Sequence, residues 1–181
     1  MNEKSWHRGK ALLEDSLPSE FLYDLGLYLQ TCAHIELSIC TLICECEGLV
    51  EGERNWLDRF QALQKLPQND LLKELSRVVR SASKEVADQV GALVNWMRTY
   101  KQNRHIAAHG AFFREEPSGH VRVIYAHMEG TKDARVYRFE QARLTRKDSG
   151  ELIEDADRIL RSLFSIRAAL EAQRRKASGN V

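Results

Sequence analysis

Eight apolar residues, Phe21, Leu25, Tyr28, Cys32, Ile35, Ile39, Leu42 and Cys46, follow one another at alternating steps of four and three. Helical geometry puts all of them on one face, so the spacing predicts a long amphipathic helix whose stripe must be covered by other elements. Pro18 suits its first turn, and Gly48 and Gly52 lie close beyond its expected end.

Two later stripes repeat the pattern. Val86, Val90, Leu93, Met97 and Tyr100 mark a helix from about Ser83 that Gly110 stops just after His109. Leu152, Ala156, Ile159, Leu163, Ile166 and Leu170 mark a last helix from about Ser149. Shorter helices are expected from Trp56 to Leu66, where Pro67 ends the run, and from about Asp70 to Arg80, where Leu71, Leu72, Leu75 and Val78 share a face. Between Ala111 and Phe139 the period drops to two at Val121, Val123 and Tyr125, with Phe112-Phe113 before and Val136 to Phe139 after. Turn residues at Pro117-Ser118-Gly119 and Glu129-Gly130 separate these segments, which predicts a small antiparallel β meander. The expected fold is all-α: an up-down helical bundle of four to five helices with the meander inserted before the last helix.

A chain of 181 residues, 43% of them hydrophobic, can build one well-buried core and is too short for two comparable domains. A single domain is expected over 1–181, with its core at about 18–173 and a basic polar tail at 174–181 in which Arg174-Arg175-Lys176 frays. Lysine and arginine total 27 against 26 acidic residues, so a net charge of +1 gives no global attraction to nucleic acid or anionic membrane. Any nucleic-acid contact must rest on a local patch. Cys32, Cys40, Cys44 and Cys46 fall in one short apolar region, unlike a dispersed disulfide framework, which fits a reducing cytoplasm. Met1 to Lys10 has no apolar run, and His34 and Glu36 interrupt the most apolar segment, so a soluble, cytoplasmic chain with no membrane partner is expected.

Chemistry concentrates in Asn103-Arg104-His105-Ile106-Ala107-Ala108-His109-Gly110. Histidine exchanges protons near neutral pH, and arginine offers a planar fork of donors to phosphate oxygens. Arg104 follows Tyr100 by four and Met97 by seven, so it occupies a stripe position where a hydrophobe is expected and needs a partner. Leu22, Leu29 and Ile43 form a seven-residue series whose remaining member is Glu36, a second charge out of pattern, and we expect Glu36 to hold Arg104. Five helical positions turn through about 500°, leaving Arg104 and His109 about 140° apart, whereas His105 and His109 share a face. A common pocket therefore requires the helix to unwind before Gly110, or a cleft between helices or between subunits.

Cleavage of RNA through its own 2′-hydroxyl needs a base, an acid and positive charge for the phosphorane, and in principle no metal or other cofactor. A two-fold homodimer would bring two copies of Arg104 and His109 around one cleft. Arg98 and Lys101 precede Arg104 at three-residue intervals and suit a basic strip of RNA-backbone contacts.

The same eight-residue segment resembles the signature of the HEPN superfamily (higher eukaryotes and prokaryotes nucleotide-binding): an arginine, a polar residue, a short spacer and a histidine, here in an Ala-His-Gly ending. The resemblance implies an α-helical bundle with the motif near the end of a late helix, and a metal-independent endoribonuclease working as a dimer in toxin-antitoxin, abortive-infection or other defence systems. It makes Arg104 and His109 the catalytic pair, His105 the polar accessory position, Asn103 a flanking residue and Glu36 the acidic residue of the first helix. The tyrosine that follows the histidine by two in HEPN toxins paired with a nucleotidyltransferase is replaced by Ala111. Some members are inactive, so the alternative is a non-catalytic module binding RNA, a nucleotide or a protein partner such as an antitoxin.

Other residue types favour structural roles. Cys40, Cys44 and Cys46 with His34 carry zinc-ligand chemistry, but small cysteines on an apolar stripe belong first to a core. Trp56, Trp96 and Tyr100 are able to stack on bases, yet aromatics at helical spacing are usually packing residues, and Arg174-Arg175-Lys176 suits a solvated helix end. A purely structural bundle, with the motif residues only capping and pairing, is the third class.

Overall fold

In a computed structural model, residues 16–129 and 136–177 are described, apart from the side chains of Ser81, Thr99, Lys101, His127, Met128, Glu129, Tyr137 and Ala177. The first stripe forms helix α1, Ser19–Cys46, and buries Tyr28, Cys32, Ile35, Ile39 and Leu42 as its spacing requires. Cys40, Ile43 and Cys44 are buried as well, because the C-terminal half of α1 is enclosed on a second flank. The helix ends through Glu47 into Gly48, whose φ of 76° is the left-handed geometry that glycine adopts without steric cost.

Helix α2, Arg54–Gln64, buries Trp56 and Leu63, and α3, Gln68–Val78, buries Leu71, Leu72 and Leu75 before a 3₁₀ turn at Val79–Ser81. Helix α3 starts two residues ahead of the expected Asp70. The carbonyl of Pro67 accepts from the backbone N–H of Asp70 at 2.9 Å and of Leu71 at 3.0 Å, so the proline opens the helix. Arg59 donates to both oxygens of Glu47 at 2.8 Å and to Glu74 at 2.6 Å, joining the end of α1 to α2 and α3.

Helix α4, Lys84–His109, begins at Ser83, whose hydroxyl accepts from the N–H of Val86. Its stripe of Val86, Val90, Leu93, Met97 and Tyr100 is buried. Strands β1, Ala111–Arg114, β2, Val121–Glu129, and β3, Val136–Leu144, form an antiparallel sheet in that order. Phe112 pairs with Val123, and Val123 with Ala142. Val121, Val123 and Tyr125 are buried on the inner face. Of the expected turn at Glu129-Gly130, the part from Gly130 lies outside the described residues.

Helix α5, Arg146–Ala177, starts three residues before the expected Ser149. Asp148 accepts from the Thr145 N–H at 2.6 Å and hydroxyl at 2.7 Å, while the Thr145 hydroxyl accepts from the Asp148 N–H at 3.3 Å. This reciprocal cap satisfies donors that would otherwise be orphaned. At the other end, the expected fraying at Arg174-Arg175-Lys176 is corrected: these residues remain helical, with the Arg174 guanidinium donating to the Glu45 carbonyl. Residues 178–181 lie outside the described part.

The described chain is thus mostly helical, with a small three-stranded antiparallel sheet before the last helix. Ile39, Leu42, Ile43, Leu63, Leu72, Leu75, Ile159, Leu163 and Ile166 are fully buried where α1, α2, α3 and α5 meet. Each such side chain contributes about 1.5–3 kcal/mol relative to exposure. Helix α1 is also long and apolar enough to count as a membrane-span candidate, at a mean hydropathy of 1.4, a property shared by core helices such as this one.

Candidate functional site

The last turns of α4 are regular to His109, and the N–H of Gly110 bonds the Ile106 carbonyl at 2.8 Å. Gly110 itself is extended (φ −71°, ψ 146°), so the stop does not use left-handed geometry. Glycine is needed for a different reason: a Cβ there would lie 2.6 Å from both the Ile106 carbonyl oxygen and Val123 Cγ2. The close approach pins the helix end against β2 and sends the chain directly into β1 at Ala111.

Because the helix does not unwind, Arg104 and His109 keep their angular separation of about 140°. Arg104 turns toward α1, where its Nη2 donates to Glu36 at 2.9–3.0 Å. The two out-of-pattern charges therefore form a direct ion pair. Side-chain exposures of 39% for Arg104 and 31% for Glu36 place it at a rim, where such a pair stabilises by up to about 1 kcal/mol. The pair borders a cleft of about 430 Å³ between α1 and the α2–α3 junction, lined also by Leu37, Cys40, Leu63 and Gln68. Gln68 was not apparent from the sequence, because it belongs to α3 only once Pro67 is recognised as a helix start.

His105 and His109 lie on the exposed face of the same helix end, with ring centroids 4.9 Å apart and planes inclined at 51°. Asn103, on the opposite flank, lines an apolar cleft with Phe21, Tyr28, Phe112 and Leu152. Phe21 and Phe112 close one side of it, their centroids 5.2 Å apart. Arg98 is exposed, and six positions of helix set it about 120° from Arg104. The side chain of Lys101 lies outside the described residues.

Tyr28, Cys32 and Tyr100 sit beneath the ion pair, and burial pushes all three to titrate above their ordinary values. The Tyr100 hydroxyl donates to the Leu152 carbonyl, and its ring packs 5.8 Å from that of Tyr28. These groups stay protonated at neutral pH and make a dry floor rather than an acid-base pair. Burial also pushes the Cys40 thiol up to about 11 and raises Cys44 and Cys46. The His34 ring is exposed, 3.4 Å from the Gln30 amide. No group of three potential metal ligands converges among the described residues. Trp56 is buried and stacked on Phe60, Tyr100 is in the core, and Trp96 lies under Arg158, 5.4 Å from its guanidinium carbon.

Comparison of the chain with protein-family models, curated proteins and solved structures returns no match.

Proposed function

We propose that this chain is a metal-independent endoribonuclease of the HEPN type. One observation carries the proposal: Glu36 fixes the Arg104 guanidinium at a cleft rim on the same helix end whose exposed face carries His105 and His109. An arginine that spends only part of its five donors on Glu36 retains donors for a phosphate. In the proposed reaction the 2′-oxygen attacks phosphorus as its proton passes to a base, and the 5′-oxygen leaves as it gains a proton from an acid. His109 moves one of these protons with His105 as accessory, while Arg104 stabilises the phosphorane charge. Asn103 flanks the site, and Arg98 with Lys101 supplies backbone contacts to RNA.

The angular divergence of Arg104 and His109 favours a homodimer in which a second copy completes the cleft. An up-down bundle of four to five helices, a cytoplasmic setting and a toxin or defence role with a possible antitoxin partner belong to the same proposal. The divergence also favours a second reading, a non-catalytic HEPN-like module that binds RNA, a nucleotide or a protein, since Arg104 is already engaged by Glu36.

RNA cleavage in the presence of a chelator separates the two. The parent chain is expected to cleave, and His109→Ala and Arg104→Ala are expected not to. Equal cleavage by all three excludes this site, and a parent inactive on varied RNAs favours the binding module.

A further inference from the structure

The sheet that follows His109 has one face without cover among the described residues. Val121, Val123 and Tyr125 point inward and are buried, so Arg122, Ile124 and Ala126 point outward. Phe113 pairs with Arg122 and Phe139 with Ala126, which puts both rings on that outer face. They are 45% and 76% exposed. Strand geometry separates them by about 13 Å along the sheet and about 10 Å across it, too far to stack on each other.

Cations share the face. Arg122 lies over the Phe113 ring at 6.0 Å, and Arg143 is its cross-strand partner on β3. One carboxylate, Glu115, serves both guanidinium groups, at 2.7 Å from Arg143 and 3.8 Å from Arg122, so the cluster keeps a positive excess. Ala111, also on the outer face as the partner of Ile124, is two residues from His109.

Resting on the ribonuclease reading, we propose that this outer face is a stacking platform for single-stranded RNA that delivers the strand to the His109 end of α4. Unstacked bases have exposed π-faces for Phe113 and Phe139, and their phosphates meet Arg122 and Arg143. An apolar protein surface would instead strip water from the two guanidinium groups without replacing it. Duplex RNA, with its bases already stacked on one another, offers the rings nothing to take.

The test uses the full chain and a fluorescent 2′-O-methyl oligouridine, which lacks the attacking hydroxyl, beside a duplex RNA of equal length. Anisotropy is expected to show preference for the single strand, a loss of about 10-fold for Phe113→Ala or Phe139→Ala, and retained binding by Phe139→Trp. Equal affinity of parent and both alanine variants, tighter duplex binding, or ring variants that alter only self-association in sedimentation would overturn the platform. Cleavage of unmodified RNA, run in parallel, keeps the two ideas apart. Ring-dependent binding with His109-independent cleavage keeps the platform and removes the catalytic assignment, and the converse result does the reverse.

Discussion

Arg104 and His109 stand five residues apart on one helix yet live under opposite constraints. Arg104 is tied to Glu36 across the α1–α4 interface, above a dry floor of Tyr28, Cys32 and Tyr100. His109 has the ring of His105 as its neighbour and otherwise faces solvent. The first residue is positioned by the chain's own packing. The second is left open, which suits a group that must meet something outside the chain.

The largest expected effect comes from breaking the open side. His109→Ala is expected to lower single-turnover RNA cleavage by about 10²- to 10⁴-fold, as for loss of a general acid or base, with the thermal midpoint unchanged because the side chain is exposed. Gly110→Ala strikes the close approach that pins the helix end against β2. Its Cβ would press on the Ile106 carbonyl and Val123, so urea denaturation should report a loss of about 1–3 kcal/mol.

The cleft that Arg104 borders is sensitive to alkali through Cys40 in its lining. Burial raises the Cys40 thiol from 9.0 to about 11 in the folded state, so between these values the unfolded chain gives up a proton that the folded chain retains. The unfolded state then binds fewer protons, and stability falls as pH rises through that window. Denaturation midpoints should be flat with respect to this group below pH 9 and decline above it, less steeply in Cys40→Ala.

Thr145→Ala removes the cap of α5 and should cost about 1 kcal/mol in chemical denaturation. The Glu36–Arg104 pair itself is expected to be worth least in stability. A double-mutant cycle with Glu36→Ala and Arg104→Ala should return a coupling of at most about 1 kcal/mol, because both side chains reach solvent.

The contrast between the two sides of the helix end also marks how far sequence periodicity reaches. The stripes of α1, α4 and α5 were legible because each turn repeats a burial requirement, and Arg104 and Glu36 stood out by breaking it. Their pairing was expected from opposite charge at two out-of-pattern positions, and the structure supplies the contact. Helix starts were less legible: after Pro67 and Thr145 the helices begin two and three residues ahead of the expected Asp70 and Ser149, through hydrogen bonds that carry no periodic signal. The role of Gly110 was also hidden, since its necessity arises from Val123, a residue of the following sheet. Exposure of Phe113 and Phe139 depends on strand register, and alternation alone does not say which face is covered. The angle between Arg104 and His109 was predictable, but only the unbroken helix to His109 removes local unwinding as a way to bring them together.

In the proposed reaction the packed arginine and the open histidine act as one catalytic unit. The decisive experiment is metal-free, single-turnover cleavage by Arg104→Ala, His109→Ala and the double variant. Residues that act as a unit lose their effect together, so the double variant should cleave RNA no more slowly than the weaker single variant. Losses that multiply in the double variant, or a single variant that cleaves at the parent rate, would contradict the claim.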